Sequence, residues 1–477
     1  MTECSRGHER PRSDGASRGA EQIVFDFGDG PEVALRFDSE AVTSDAGLAP
    51  LRALDERLGL TEVAASFIED LREPDMVVHP VLRLVREVVY AYAAGCDDAN
   101  DHAPLAHDVW FERLVGPPNR ESVNPKAHEG LASEAMVSRF LHARGLDAAG
   151  LAFSHVEQFI RTVSRNPPEE ITLDIDGYDA EVYGCQQLSL WNGHYEETMY
   201  YPVVVTAAEH GFALAGRLRP GGAGSGADAA PVLRPVLKRL REALPGTRIV
   251  VRADSGFMDP ELYDLCEEFG VGYLIRLRMN EVLKRYFAEA FGPRDEARLR
   301  AMPGPRPALY AEDRYAAGSW PRKRRIVMKL QYDPREGEFE RYAVVTNLRT
   351  SKRRSWRRYE RRGLCEQRID ELRNHLRADK FSLSTFEAND LKLQFMLLAY
   401  NLHAAARVML PAHHELKRAT VGRLIVTLVK CGASVRRTVR RMWLHGSRTW
   451  PYRELLADVA RRFAAGRLVP TPLWDTG

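Results

Sequence analysis

The sequence predicts an α/β protein: a mixed-sheet core that carries a β-containing insertion and follows a helical N-terminal region. Three observations predict it. Between residues 48 and 165 the apolar side chains recur at helical spacing. After Pro167-Pro168 the texture changes to short apolar runs alternating with amphipathic helices. Between residues 280 and 349 a Pro-rich link leads into two strong β runs, 325–331 and 341–346.

Composition narrows the class. The chain has 477 residues, 44% hydrophobic and 28% charged, enough for a large core and two or three domains. The six cysteines are scattered without a CxxC pair, which excludes a disulfide framework or a zinc module and points to a reducing cytoplasm. No apolar run is long enough to span a membrane, and the polar N-terminus does not read as a signal peptide. Net charge is only +2, but the basic residues are clustered. Residues 349–362 hold eight Lys/Arg, Arg357 and Arg358 among them, against the single acid Glu360. Arg436, Arg437, Arg440 and Arg441 form a second cluster. Two such clusters suit a nucleic-acid partner.

In chain order, residues 1–20 have little to bury and read as a disordered N-terminus. Residues 21–166 form the mostly helical domain, after two short strands over 23–27 and 33–37. Its stretch DDANDHAPLAHD reads as a capped polar connection; a metal site would require His102 and His107 to converge with the carboxylates. Residues 167–279 begin the core, with strands over 171–175, 199–207 and 212–218, a helix over 230–244, then strand 248–251, helix 260–269 and strand 272–277. Three strands, a helix, then strand–helix–strand is the order of a ribonuclease H-like fold. Residues 280–348 are the insertion, 349–412 return to the core, and 413–477 are a basic C-terminal region. Residues 386–408 are apolar on most sides, as a buried helix requires.

Asp174 and Asp176, in LDIDGYD, share a face near the end of one strand. Asp254 ends another strand at the tight turn ADSG. Glu366 lies in the stretch 356–377, where helical spacing puts Tyr359, Arg362, Glu366 and Arg373 on one face. Each motif alone is more often structural. Together, acids at the ends of three elements of one core can hold two Mg²⁺ ions roughly 3.5–4 Å apart, one activating an attacking oxygen and one stabilising the leaving oxygen.

The spacing Tyr359-x2-Arg362-x3-Glu366-x6-Arg373 resembles the Y–R–E–K signature of DDE transposases encoded by bacterial insertion sequences. A subgroup of that family also resembles the chain at LDERLGLTEVAA, AAGCDDANDHAPLAHD, LDIDGYD, NGHYEETMYYPVVV, RADSGF, AVVTNL, RGLCEQRIDELRNHL and FSLSTFEANDLKLQFMLLAYNL. The resemblance runs from about residue 51 to 443. It implies a metal-binding triad of Asp176, Asp254 and Glu366, with Asp174 the alternative first ligand. Tyr359, Arg362 and Arg373 become phosphate contacts; the last is an arginine where the signature has lysine. The implied cofactor is Mg²⁺, two ions, with Mn²⁺ able to substitute. The implied partners are double-stranded DNA, as terminal inverted repeats and target, and a second copy of the chain on that DNA. The implied location is the bacterial cytoplasm, on the nucleoid when bound, with no membrane. Repeat reading falls to the helical N-terminal domain. Cleavage and strand transfer then need no covalent protein–DNA intermediate. Trp320, in the insertion, is a candidate for stacking on an unpaired base. Two other readings use the same residues: a catalytically idle DNA-binding protein derived from a transposase, and a ribonuclease H-like nuclease or resolvase.

Overall fold

A computed structural model describes residues 22–25, 31–98, 101–124, 130–143, 147–224 and 226–473. The segment 1–20, expected to be disordered, lies outside these residues, as does the His102 side chain. No helix of the described residues is long and apolar enough to cross a membrane.

The helical region contains Leu48–Leu58, Leu60–Ala65, Val81–Ala93, Val109–Val115, Glu134–Leu141 and Ala148–Val163. Its acids do capping work. Asp108 accepts from the amides of Trp110 and Phe111, and Asp147 from those of Ala149 and Gly150, satisfying the free N–H groups of each first turn. Asp101 likewise accepts from the amides of Asp97 and Asp98. The acids of DDANDHAPLAHD thus hold a helix connection together.

Eight strands form the central sheet, numbered in chain order: β1 Glu170–Gly177, β2 Val203–Ala207, β3 Phe212–Arg217, β4 Arg248–Ala253, β5 Gly272–Leu277, β6 Ala308–Tyr315, β7 Arg324–Asp333 and β8 Glu338–Thr346. Their spatial order is β6-β7-β8-β5-β4-β1-β2-β3. β1, β4 and β5 run parallel, while β1-β2-β3 is an antiparallel meander. The helices Ala229–Ala243 and Pro260–Glu268 precede and follow β4, and the second makes the crossover that parallel pairing requires. The order β3-β2-β1-β4-β5 is that of a ribonuclease H-like α/β fold. The strands of the segment 280–348 extend the same sheet, because β8 pairs antiparallel with β5 and β7 with β8. β6 and the helix Pro293–Ala301 are additions to the sequence expectation.

The expected strand 199–207 divides at Tyr201-Pro202: Glu197–Tyr200 joins a small three-stranded sheet between β1 and β2, and β2 begins at Val203. Proline has no N–H to give to a ladder, which is why the run breaks there. The buried helix Phe386–Met409 packs against β3 and the helices Val81–Ala93 and Ala148–Val163. One apolar core is therefore continuous from the helical region into the sheet. The C-terminal region adds a hairpin, Ala433–Arg437 with Met442–Gly446, that pairs with the short strand Val42–Thr43.

Candidate active site

β1 and β4 lie side by side in parallel register, with Arg252 opposite Asp174 and Ala253 opposite Ile175. One residue further on, Asp176 and Asp254 reach the same level, on backbones about 4.8 Å apart. Asp254 caps the single turn Ser255–Phe257 and accepts from the Gly256 amide at 2.8 Å. The Asp176 side chain is 15% exposed, and its Oδ2 lies 2.7 Å from Nη2 of Arg362. Burial pushes the Asp176 carboxyl up to about 6; Arg362 pulls it down and the charge of Asp254 pushes it further up. The two acids thus share one electrostatic site.

Glu366 stands on the helix Gly363–Asp370, one turn beyond Arg362, with Oε1 3.9 Å from Nη1 of that arginine. Its side chain is 74% exposed. Arg362 therefore sits between the strand-end acids and the helix acid. Its Nε and Nη2 are buried but make no aligned hydrogen bond. Burial opposes its charge, yet Asp176 raises its pKa above the ordinary value. Among the described residues no three acids, histidines or cysteines close into a metal cage. The arginine occupies the middle of the set.

Tyr359 packs edge-on against Trp356, with ring centroids 5.6 Å apart. Burial pushes its hydroxyl up to about 12; Arg362 and Arg276 pull it down, and Asp254 and Asp176 push it up. These four influences place the hydroxyl among the charges of the site, protonated at neutral pH. Arg357 is exposed, and Arg358 is ion-paired with Glu170 at the start of β1. With Arg353, Arg354 and Arg361 they line a cleft of about 470 Å³.

Four expectations need correction. The stretch 356–377 is two helices, Lys352–Glu360 and Gly363–Asp370, on either side of a turn at Arg361-Arg362, followed by a π-helical turn, Glu371–His375. A single 3.6-residue stripe cannot run through them. The π turn is fixed from below: buried Glu371 lies 3.0 Å from Arg407 and 3.6 Å from Arg368, and accepts from the Tyr400 hydroxyl at 3.3 Å. Arg373 does not sit beside Glu366, since its guanidinium makes a two-pronged pair with Asp179 at 2.9 and 2.7 Å. Asp174 is fully buried, and each of its oxygens accepts from Arg252 at 2.7 Å, so its carboxylate is spent on an internal ion pair. Trp320 is 7% exposed, packed edge-on to Tyr263 and Tyr315 with the Arg324 guanidinium over its ring. In this structure it is a core ring sealing β6 and β7 onto the helix Pro260–Glu268.

Sequence reasoning overlooked Arg252. It ties Asp174 on β1 to β4, and its Nη1 donates to the Arg358 carbonyl at 2.6 Å, so one side chain joins both acid-bearing strands to the arginine-rich helix. The signal was there. An arginine in the apolar strand RIVVRA needs a buried acid, and Asp174 stands two residues before Asp176 just as Arg252 stands two before Asp254.

Asp176, Asp254 and Glu366 offer only hard carboxylate oxygens, the donor type for Mg²⁺ or Mn²⁺. The buried guanidinium lodged against Asp176 and facing Glu366 shows that this position carries positive charge. In chemical type, this donor set suits a hard divalent cation.

The fold and the site define a ribonuclease H-like protein with carboxylates at the ends of neighbouring strands. The family model described as transposase DDE domain group 1 matches residues 25–467. The chain belongs to this transposase family, whose members are DNA-cleaving enzymes that generally use divalent metal ions. No curated protein matches the chain. Among solved structures it is similar to a piggyBac transposase in a synaptic complex with hairpin DNA, at 11% identity over 77% of each chain and a TM-score of 0.38.

Proposed function

We propose that the chain cuts DNA at the ends of a mobile element and joins those ends to target DNA, with Asp176, Asp254 and Glu366 as the acidic triad and Mg²⁺, in two ions, as cofactor. The observation that carries this is the pairing of Asp176 and Asp254 at one level on β1 and β4 with the Arg362 guanidinium held against them. Bound divalent ions supply charge neutralisation at a phosphate and an activated oxygen nucleophile.

The side chains divide the remaining work. Asp176 and Asp254 are fixed at strand ends and need no reorganisation. Glu366 faces solvent and closes the set when DNA arrives. Arg362, displaced from Asp176, becomes a donor to the phosphate that takes its place. The Tyr359 hydroxyl, protonated, donates a hydrogen bond and does not act as a nucleophile. Arg353, Arg354, Arg357 and Arg361 follow the backbone of the bound strand. Arg373 acts through Asp179, holding the loop after Asp176. The two ends of an element require two active sites, so a homodimer forms on the inverted repeats.

The test is cleavage of a labelled duplex carrying the DNA that flanks the gene, with Mg²⁺ or Mn²⁺, comparing wild type with Glu366→Gln. Wild type is expected to cut and the variant to bind without cutting. Equal cutting by both removes Glu366 from the triad. Binding without cutting by either favours an idle DNA-binding descendant. Cutting without joining to target DNA favours a nuclease.

A further inference from the structure

The second arginine cluster, far along the chain from the acids, takes a definite form. Ala433–Arg437 and Met442–Gly446 pair in register, Arg437 opposite Met442 and Arg436 opposite Trp443. The tip is locked by Thr438, whose amide and hydroxyl both donate to the Arg441 carbonyl at 2.8 and 2.9 Å while its hydroxyl accepts from the Arg441 amide at 3.1 Å. One face of the ribbon is apolar and packed: Ala433 and Val435 are buried, and Leu444 packs with Trp450 and Leu456 against Ala46 and Cys431. The other face carries Arg436, Trp443 and His445, with the two rings stacked and Arg441 over Trp443. The hairpin is therefore a fixed arm.

Across from its tip stands the segment that leaves the helix Val109–Val115. The two walls enclose a cleft of about 470 Å³ lined by Arg437, Arg440 and Arg441 on one side and Arg113 and Arg120 on the other, with Glu112 the acid among them. All five arginines are exposed, and among the described residues none has a carboxylate partner. Elsewhere Arg234, Arg239, Arg322, Arg325, Arg358 and Arg373 are each paired with an acid, whereas these five share with Arg353, Arg354 and Arg357 of the arginine-rich helix the lack of an ion pair among the described residues. Like charges held together on rigid walls without counter-ions repel one another, and a polyanion relieves that repulsion with a gain from released counter-ions. A two-stranded ribbon is also an element that the major groove of duplex DNA admits.

We propose that the hairpin and the Arg113–Arg120 wall grip the backbone of duplex DNA at a second site, separate from the acidic triad. It rests on the reading of the chain as a DNA-acting enzyme. Because it is read by binding, its failure can be told from the failure of that reading.

The experiment uses the full chain and labelled duplexes of about 40 base pairs, one from the DNA flanking the gene and one unrelated, beside a single strand and an RNA duplex of the same length. Anisotropy is followed across salt concentrations for wild type, for Arg437→Ala/Arg440→Ala/Arg441→Ala, and for Arg113→Ala/Arg120→Ala on the opposite wall. Each phosphate that an arginine neutralises adds about 0.9 to the slope of log affinity against log salt, so the triple variant should fall by about 2–3 in slope and at least tenfold in affinity. The wall variant should fall by about 2 in slope. Both should keep the wild-type melting temperature, since all five side chains are exposed. Unchanged slope and affinity in both variants overturn the second site while leaving the triad reading intact. No binding of either duplex by wild type overturns both. Tighter binding of duplex RNA or of a single strand than of duplex DNA overturns the assignment to duplex DNA.

Discussion

Asp174 and Asp176 lie two residues apart on the same face of β1, and each meets a guanidinium. Asp174 has no exposure, and both its oxygens are matched by two nitrogens of Arg252. Asp176 touches Arg362 through one oxygen, keeps the other on the Gly177 amide, and stands where the sheet ends. Burial of a charge is compensated only when its partner satisfies it completely. The inner pair meets that condition and is closed to any ligand. The outer pair is under-satisfied: Nε and Nη2 of its arginine are buried without an aligned hydrogen bond. Saturation of the carboxylate is what distinguishes the two acids, since residue type and strand face are the same for both.

The comparison is broken or sharpened most strongly by exchanging the two acids one at a time. Asp174→Asn leaves Arg252 buried without its counter-charge and should cost about 3–5 kcal/mol of stability, read by urea unfolding. Asp176→Asn should lose no stability at neutral pH and lose cleavage by about 10³-fold or more, because a metal ligand contributes several kcal/mol to the transition state. If the Asp174 variant folds normally while failing to cut, the assignment of the two acids is reversed.

A smaller effect follows from the carboxyl of Asp176, raised to about 6 in the fold against an ordinary 3.8. Between these two values the folded chain holds a proton that the unfolded chain releases. The contribution of this group to stability is therefore full below the lower value and lost as pH rises through the upper one. Wild type should lose stability relative to Asp176→Asn between pH 4 and 7, by about 3 kcal/mol at most, on the linkage of about 1.4 kcal/mol per pH unit. Parallel stability curves for the two proteins across this range would show that Asp176 is not held in an unfavourable environment.

Much of this was legible in the sequence, and the parts that were not share a cause. LDIDGYD and RADSGF could be placed at strand ends because apolar runs and glycine turns are local signals. That Arg252 would fall opposite Asp174 is a matter of register between strands 78 residues apart, which no local pattern fixes. The turn at Arg361-Arg362 escaped notice because the run WRRYERRGLCEQ continues the helical spacing straight through it. Trp320 was open to a stacking role because burial depends on Tyr263 and Tyr315, which come from other elements. The hairpin around Val439 was invisible as strands: RRTVRR has no alternation, and its ordering comes from pairing with Val42–Thr43.

The last consequence concerns Arg362 itself. If the guanidinium occupies the place of a cation, then a divalent ion binding the chain in the absence of DNA must first displace it. Arg362→Ala removes the competitor and leaves Asp176 and Asp254 side by side without compensation, so the affinity for Mn²⁺, followed by electron paramagnetic resonance, should rise by about tenfold, an exchange worth about 1.4 kcal/mol. Cleavage by the same variant should fall, because the phosphate loses its donor. Tighter metal binding with slower cutting separates the two roles of one side chain. Weaker metal binding would mean that Arg362 holds Asp176 in position, and the outer pair would then be as structural as the inner one.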